Sequence, residues 1–375
     1  MNILFIHGIA EIGGAERELL LIVKHLLSSE YYPMVVCPQN GPLVGLLHQE
    51  NIKTWSVPFP SWRKLICFPK RIRAIKALSK VIQTVRPKLI HVNDIWWVPQ
   101  TLRAVKDALG RNIPIVAHVR QEIEPAKVRR YELHQPALVF SVSGKVKNAL
   151  AEGGVAGGQV RILYSGVEGK EPPPQEEVRN IRRQYQIPPD ARVLGTIGNL
   201  FPRKGYEVML EAFPKILQEF PDVHYLIIGK GSDEYERFLR SRVKKMGLQD
   251  RIHFVGFQKF VYPYLACLDV YVHPACMEGF GISVLESMAM GKPVVATRTG
   301  GLPEIVQEDE TGLLVSPGDP WGLCKAISLL LGDIETRTQM GESGRTRVLK
   351  NFSVEKLLRQ LTHEYSKLLE NFPTV

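Results

Sequence analysis

The 375-residue sequence lacks the features that mark secreted and membrane-spanning proteins. Its five cysteines are scattered without a C-x-x-C pair, which argues against a disulfide framework or a structural zinc site and favours a reducing cytoplasm. No apolar run approaches the roughly eighteen residues that a membrane span requires, and the first residues lack the basic region of a signal peptide. We therefore expect a cytoplasmic protein, and the length predicts two domains.

Acidic residues are absent from one long segment. Residues 51–93 contain ten lysines and arginines and no aspartate or glutamate, and residues 1–167 carry a net charge of +11 against −1 for the rest. Apolar residues recur at helical spacing from Phe68 to Val85, which predicts an amphipathic basic helix. This helix packs against an α/β domain with a solvated outer face, or the basic 62–88 segment also contacts an anionic membrane, and both interpretations can hold. No stacking platform or known module supports nucleic-acid binding.

Short apolar runs alternate with amphipathic segments along most of the chain. This pattern predicts strands alternating with helices, and therefore parallel sheets with helices on both faces. A proline-rich, charged stretch at 168–190 reads as a linker between Rossmann-like domains at 1–167 and 191–351, with a final segment at 352–375. The expected fold is α/β, with two doubly wound domains facing each other across a cleft. Ligands bind outside the carboxyl ends of the strands in such domains, so the loops after the strands are the candidate sites.

Two glutamates separated by seven residues mark the most informative of these loops. A predicted strand at 269–273 precedes Glu278-Gly-Phe-Gly-Ile-Ser-Val-Leu-Glu286, where apolar positions take up helical spacing. The backbone amides of 279–283 are the expected unpaired donors of a helix N-terminus, which suits a phosphate. Glu278 and Glu286 flank that anion and can accept hydrogen bonds from neutral vicinal hydroxyls, as on a ribose or a hexose. The alternative is a pair of solvated glutamates around a turn.

A pair of cations follows another predicted strand, between Gly198 and Gly205. Arg203 offers a bidentate fork and Lys204 a point charge, so together they suit a diphosphate leaving group. By itself such a pair is more often solvated. The chain lacks an Asp-x-Asp metal motif, so we expect fixed cations, without a metal ion, to neutralise the departing diphosphate.

Four further loops hold candidate residues. The glycine turn at 13–14 opens a helix and permits close approach of an anionic ligand, although it is not the G-x-G-x-x-G fingerprint of a nicotinamide dehydrogenase. His118 ends a strand and faces the predicted cleft, although a lone histidine is more often structural. The glycine loops at 229–231 and 299–304 are equally consistent with turn chemistry and with ligand contact.

Over almost its whole length the chain resembles the retaining GT-B glycosyltransferases of family 4. The motifs that carry the resemblance are GGAER at 13–17, GNLFPRKG at 198–205, IIGKG at 227–231, EGFGISVLESMAMGKPVVAT at 278–297, GGLPEIV at 300–306 and TGLLVSPGD at 311–319. The resemblance implies transfer of a hexosyl unit from a nucleoside-diphosphate sugar, UDP first and GDP second on family frequency, to a hydroxyl group. It also implies acceptor binding by the first domain and a C-terminal helix that crosses back onto it.

The resemblance assigns roles to individual residues. Arg203 and Lys204 would grip the donor diphosphate, Glu286 would bind the ribose and Glu278 would contact the donor sugar hydroxyls. His118 matches the histidine that family members place near the donor sugar. The catalytic residues so implied are His118, Glu278, Arg203 and Lys204, and the donor-binding residues are Gly14, Arg203, Lys204, Gly229, Gly279, Phe280, Gly281, Ile282 and Glu286.

The expected reaction follows from these assignments. The loops of the first domain offer His118 but few obvious acids as a nucleophile, so we expect front-face departure and attack, with the leaving phosphate taking the acceptor proton. The basic first half suggests an anionic or lipid-linked acceptor at the inner membrane face, as in envelope polysaccharide or glycolipid synthesis. The sequence departs from the family pattern at Ser165, usually asparagine, and at Cys276, often a small hydroxyl residue. A nucleotide-sugar epimerase and a non-catalytic sugar-nucleotide-binding protein remain alternatives.

Overall fold

Two parallel sheets organise the chain. The computed structural model describes residues 1–27, 30–60, 67–110 and 113–372. It divides into a first unit, residues 1–165 with the C-terminal segment from Val354, and a second unit, residues 166–353. Each unit is a doubly wound parallel sheet flanked by helices, so the predicted α/β fold with two Rossmann-like domains is confirmed. Among the described residues, no helix is both long and apolar enough to cross a bilayer.

The first sheet is built from short, buried, aliphatic strands. They are β1 (Asn2–Ile6), β2 (Tyr32–Cys37), β3 (Lys53–Ser56), β4 (Leu89–Val92), β5 (Ile115–Val119), β6 (Leu138–Ser141) and β7 (Val160–Ile162). Their order is β3-β2-β1-β4-β5-β6-β7, all parallel. The order reverses between β1 and β4, which are neighbours, so their carboxyl ends form the switch point at which such sheets bind ligands.

Within the described residues, six α-helices connect these strands. They are α1 (Gly14–Leu26), α2 (Pro42–Gln49), α3 (Phe68–Val85), α4 (Val98–Leu109), α5 (Pro125–Arg130) and α6 (Gly144–Glu152). The predicted basic helix is α3, with the predicted bounds. Leu78, Ile82 and Val85 of its apolar stripe are buried, and α3 packs on α4, whereas Phe68, Ile72 and the lysines of the helix are exposed. Trp62 and Leu65, which belong to the predicted basic 62–88 segment, lie outside the described residues.

The second unit repeats the arrangement. Its strands are β8 (Val193–Ile197), β9 (His224–Ile228), β10 (Ile252–Gly256), β11 (Val270–His273), β12 (Val294–Thr297) and β13 (Gly312–Val315). Their order is β10-β9-β8-β11-β12-β13, again parallel, and the switch point lies between β8 and β11. The helices are α7 (Gln175–Gln184), α8 (Tyr206–Glu219), α9 (Asp233–Lys245), α10 (Tyr262–Cys267), α11 (Ile282–Ala289), α12 (Leu302–Ile305), α13 (Pro320–Gly332) and α14 (Ile334–Asn351).

The segment 168–190, which the sequence predicts as a linker, contains helix α7 and belongs to the second unit. Of the five prolines in this segment, three end at Pro174, directly before the helix, and two follow it at 188–189, so none of them interrupts the helix. Ile181 is buried, α7 packs on α10, and Arg182 donates hydrogen bonds to the carbonyl oxygens of Pro188 and Ala191 at 2.8 and 3.0 Å. Composition alone therefore overstated the length of the connection.

The last helix, α15 (Val354–Glu370), packs in the first unit. Its Leu357, Leu361 and Tyr365 are buried in the same core as β1 and β4. The hydroxyl of Tyr365 lies 2.5 Å from Nδ1 of His91, and Gln360 Nε2 donates to the carbonyl of Ile162 at 2.6 Å. Helix α15 therefore belongs to the same core as the first strands.

Candidate functional site

Two loops of the second unit dock on each other at its switch point. The loop after β8 ends in a short 3-10 helix at Pro202–Lys204, and the backbone N–H groups of Cys276 and Met277, after β11, donate to the Arg203 carbonyl at 2.8 and 3.2 Å. Gly205 has a φ of +72°, and a Cβ there would lie 1.8 Å from the carbonyl oxygen of Pro274. Only glycine permits this approach, which places the two cations beside Glu278.

Glu278 and Lys204 form a largely buried ion pair. Lys204 Nζ lies 2.5 Å from Glu278 Oε2, and His273 Nε2 lies 2.8 Å from the same oxygen. Burial alone would raise the pKa of Glu278, but Lys204 and His273 lower it more, so the carboxylate is ionised. The structure therefore joins two residues that the sequence assigned to different parts of a donor.

Sequence reasoning missed His273, which it treated only as the end of a strand. The side chain is 1% exposed, and its Nδ1 lies 3.2 Å from the hydroxyl of Tyr271. That hydroxyl also contacts Ser283 Oγ at 2.8 Å and the carbonyl oxygen of Ile197 at 3.3 Å. Burial lowers the pKa of His273, and the nearby carboxylate of Glu278 opposes that effect. Strand alternation puts 271 and 273 on one side of β11, which was the available signal.

The start of α11 has the geometry expected for an anion site. Gly281 has a φ of +117° and precedes the first helical residue, Ile282. Glu286 lies just over one turn further on and is 9% exposed. The turn before the helix is tied to a second glycine turn, because Gly301 donates to the carbonyl of Gly279 at 3.1 Å. The donors at this helix start suit a phosphate group.

The other residues predicted to bind the nucleotide-sugar donor differ in the groups that they can present to a ligand. The ring of Phe280 is buried, with its centroid 5.9 Å from that of Phe352, so this residue can present only its backbone to a ligand. Gly229 has a φ of +144° and passes so close to Gly198 that a Cβ would lie 1.9 Å from its carbonyl oxygen. Arg203 is exposed, and its Nη1 donates to the Met277 carbonyl at 3.3 Å. Its guanidinium is thus accessible at the rim of the cluster.

A second polar cluster lies at the switch point of the first unit. Glu16, in the first turn of α1, accepts hydrogen bonds from the backbone N–H of Gly13 and from His7 Nε2, both at 2.8 Å. Because a carboxylate only accepts, His7 carries its proton on Nε2, and Nδ1 accepts from Asn93 Nδ2 at 3.1 Å. These bonds hold the glycine turn, whose Gly14 is the first residue of α1.

The cluster continues to the end of the first unit. Asn93 Oδ1 accepts from Arg120 at 2.7 Å, and Arg120 Nη1 contacts the carboxylate of Glu18. Glu18 also accepts from the hydroxyl of Ser165 at 3.1 Å. A chain of hydrogen bonds therefore runs from Gly13 to Ser165, the last residue of this unit before the chain enters the second.

His118 lies in β5, two residues before Arg120, and its ring centroid is 5.5 Å from that of His91. It is 1% exposed, and neither ring nitrogen has a hydrogen-bond partner among the described residues. Burial, together with Arg120 and His91, holds the pKa of His118 well below its usual value, so the ring is neutral. Buried polar atoms without partners are costly, which makes His118 a candidate for ligand contact rather than a core residue.

The prediction that the first domain offers few acids near its ligand edge was wrong. Glu16 and Glu18 are buried there, and Asp94 follows β4. Burial raises the pKa of Asp94 to about 6. Sequence reasoning passed over the first two because they lie inside helix α1, where glutamates are usually solvated.

The chain has two Rossmann-like units. At the switch point of the second unit, one loop carries two cations and a helix begins directly after a glycine. These features define the class of two-domain GT-B proteins. Family profiles match both units, Glycosyltransferase Family 4 over residues 12–170 and Glycosyl transferases group 1 over residues 177–347.

Similar proteins agree with this class. N-acetyl-alpha-D-glucosaminyl L-malate synthase of Bacillus anthracis is 28% identical over 313 residues, 81% of each chain. D-inositol 3-phosphate glycosyltransferase of Corynebacterium urealyticum is 31% identical over 294 residues, 74% of this chain and 68% of that one. The solved structure of Alr3699/HepE of Anabaena with UDP and glucose has a TM-score of 0.85 and 23% identity, covering 97% of this chain and 99% of that one. The chain belongs to glycosyltransferase family 4 and is a GT-B glycosyltransferase.

Proposed function

We propose that the protein transfers a hexosyl unit from a UDP-sugar, with retention of configuration and without a metal ion. The observation that carries this proposal is the cluster of Lys204, Glu278 and His273 beside the start of α11. It combines fixed positive charge, backbone donors and a carboxylate in one place, as a charged diphosphate linked to a neutral sugar requires. UDP is favoured over GDP because the structural relative from Anabaena was solved with UDP and glucose.

The proposed role of each residue follows from its charge. Arg203 and Lys204 bind the diphosphate and stabilise the charge that develops as it leaves. Glu278 accepts hydrogen bonds from the sugar hydroxyls and Glu286 from the ribose, because ionised carboxylates are acceptors only. His118, which is neutral, is assigned to contact with the donor sugar. The leaving phosphate oxygen takes the acceptor proton in a front-face course, because the two glutamates buried in the first unit are already paired with basic side chains.

We assign the acceptor to the first unit and expect it to be anionic. Residues 1–167 carry a net charge of +11, so this half of the chain attracts negative ligands. The names of two relatives contain malate and inositol 3-phosphate, both anionic compounds. An anionic lipid-linked glycan would meet the same requirement, as in envelope polysaccharide or glycolipid synthesis.

Helix α3 is the element through which we propose contact with an anionic membrane. Its outer face exposes Lys70, Arg73, Lys76 and Lys80, together with the apolar side chains of Phe68 and Ile72. Basic residues next to a membrane attract acidic lipid head groups, and exposed apolar residues at one helix end can enter the interface. The surface fits a peripheral contact.

Thermal unfolding with UDP, GDP and ADP, each with magnesium and with a chelator, tests the donor proposal. A ligand at about one hundred times its dissociation constant adds about 2.7 kcal/mol of stability. We expect a shift with UDP that survives the chelator, is lost in Lys204→Met and is kept in Lys244→Met, a substitution at an exposed lysine of α9. If no nucleoside diphosphate shifts the unfolding transition, the donor site is wrongly assigned.

Product analysis separates the remaining alternatives. Transfer to an acceptor with retention of the anomeric configuration is expected, and an inverted product would contradict the front-face course. A change in the sugar nucleotide without any acceptor would identify an epimerase. Binding of UDP without turnover of a panel of UDP-sugars and anionic acceptors would instead favour a binding protein.

A further inference from the structure

Glu278 has two side-chain donors on a single oxygen atom. Its Oε2 lies 2.5 Å from Lys204 Nζ and 2.8 Å from His273 Nε2, whereas its Oε1 accepts the backbone N–H of Gly279 at 3.1 Å. A ligand that attracts Lys204 therefore competes with Glu278 for that cation. In the described part of the chain, His273 is then the other side-chain donor that remains on the carboxylate.

The hydrogen bonds around His273 fix the position of its proton. Because the carboxylate only accepts, the proton is on Nε2, and Nδ1 faces the hydroxyl of Tyr271. That hydroxyl can reverse its role without moving, since it also contacts the carbonyl oxygen of Ile197 at 3.3 Å and Ser283 Oγ at 2.8 Å. Nδ1 can therefore gain a proton and donate it to Tyr271 while Nε2 keeps its bond to Glu278.

The charges around His273 determine when that proton is bound. With Lys204 on Glu278, the buried carboxylate is already compensated, and burial, Lys204 and Arg203 all lower the pKa of His273. A bound diphosphate brings negative charge next to Lys204 and Arg203 and draws Lys204 from Glu278, which reverses the local balance. The titratable and charged groups near His273 and its partners are Lys204 and Arg203 of the loop after β8, Tyr206 of α8, Tyr271 of β11, Glu278, and Glu286 of α11.

We propose that His273 is a positioning residue that takes up one proton from solvent at Nδ1 when the diphosphate of a nucleotide binds Lys204. As an imidazolium it keeps Glu278 ionised and held in place for the hydroxyls of the donor sugar. The inference rests on the proposed donor function. No bond to the substrate forms or breaks in this step, because one proton moves from bulk water to the imidazole.

Calorimetric titration with UDP in buffers of different ionisation enthalpy measures the proton directly. At about pH 7, with a chelator present, we expect the wild type to take up more protons per UDP than His273→Gln, by a fraction approaching about one. The glutamine side chain can still donate to Glu278 but does not titrate. Protonation of the terminal phosphate of UDP is common to both proteins and cancels in the difference. The affinity of the wild type should also fall more steeply with rising pH, by up to about tenfold per pH unit more.

Two further variants keep the test decisive. Glu278→Gln removes the charge that His273 is inferred to compensate, so it should lose the same extra proton even if His273→Gln does not fold. UDP carries no sugar, so this variant is expected to bind it. His224→Gln replaces another buried histidine of the same unit, one paired with His253 at 2.9 Å, and should match the wild type.

The outcomes distinguish this inference from the donor proposal. Equal proton uptake in the wild type and in His273→Gln or Glu278→Gln would overturn the role of His273 while UDP binding still stands. If neither UDP nor GDP binds the wild type, the proposed donor function itself fails. A loss of UDP binding in His273→Gln that accompanies intact folding would also overturn the inference, because the proposed role concerns Glu278 and not the diphosphate.

Discussion

The two units place polar clusters at equivalent points of their sheets, yet they arrange them differently. In the first unit, donors and acceptors form a chain from Gly13 to Ser165, and Arg120 bridges Asn93 and Glu18. In the second, Lys204 and His273 converge on one oxygen of Glu278, and Arg203 is exposed at the rim. The first arrangement holds loops and the end of the unit in place. In the second arrangement, a ligand that binds Lys204 can separate this lysine from Glu278.

The largest expected effect comes from breaking the chain in the first unit. Arg120→Met leaves Glu18 buried without its cation and removes the donors to Asn93, because the side chains of Arg120 and Glu18 are only 12% and 2% exposed. Removing one partner of a buried pair costs about 3–5 kcal/mol. Denaturant unfolding should show a loss of this size, while UDP affinity stays near that of the wild type.

Arg130→Met is the matched control, because Arg130 is an exposed arginine of the same unit. It should change the free energy of unfolding by less than about 0.5 kcal/mol. The double variant Glu18→Leu, Arg120→Met should be more stable than Arg120→Met alone, since the buried charge is gone. Wild-type stability in Arg120→Met would mean that the chain of hydrogen bonds is not a structural tie.

Arg203→Ala, in the second cluster, should lower turnover and leave stability near that of the wild type, which is the opposite of the result expected for Arg120→Met. The exposed guanidinium contributes little to folding, but its loss removes one donor from the leaving diphosphate. We expect the barrier to rise by about 2–4 kcal/mol. Steady-state kcat/KM and thermal unfolding, measured on the same preparation, should separate the two properties.

Arg237→Ala serves as the control for this variant, because Arg237 is exposed on α9 and contacts only its own helix through the Asp233 carbonyl at 3.1 Å among the contacts described. Its turnover should equal that of the wild type. Unchanged turnover in Arg203→Ala would remove this residue from the donor site.

A smaller effect, on the pH dependence of the free energy of unfolding, is expected at His118. Its pKa is lowered by burial, Arg120 and His91, so the neutral form is favoured on folding. Stability is therefore complete above the unfolded-state pKa of about 6.5 and falls as the pH drops below it, by up to about 1.4 kcal/mol per unit. His118→Leu and His118→Gln should both lose less stability than the wild type between pH 6.5 and pH 5, by up to about 2 kcal/mol.

Denaturant midpoints at the two pH values measure this difference. A pH dependence in both variants equal to that of the wild type would show that His118 is not held neutral by the fold. The same variants should also turn over more slowly if the ring contacts the donor sugar, and this second readout bears on the catalytic proposal alone.

The smallest effect per substituted residue concerns the charge difference between the two halves of the chain. Replacing Lys70, Arg73 and Lys76 by glutamine should weaken sedimentation with phosphatidylserine vesicles by about 1 kcal/mol per residue at low salt. Replacing Arg237, Lys244 and Lys245 of α9 in the second unit should have no comparable effect. A wild-type protein that does not bind such vesicles at low salt would refute the membrane contact.

Several helices and turns of the structure were predictable from local patterns in the sequence. Helical spacing predicted α3 at Phe68–Val85, and the glycines before Ile282 predicted a helix start with Glu278 outside it and Glu286 one turn inside. These features depend on neighbours in the chain, where periodicity and turn chemistry are informative. The interpretation of 168–190 as a linker also came from local composition. Prolines indicate a stiff backbone, but they do not indicate that Ile181 is buried and that α7 belongs to the second unit.

The pairings inside the two clusters depended on the tertiary structure. Lys204 and Glu278 are 74 positions apart, and Arg120 and Glu18 are 102 positions apart. Their contacts depend on strand order and on the close approach of loops at Gly205, which no local pattern encodes. The sequence by itself determined the two parallel sheets and the family, and it predicted which loops form the candidate site. The tertiary structure decided which charges meet, because ionisable side chains acquire their partners and their pKa shifts only when folding removes them from water.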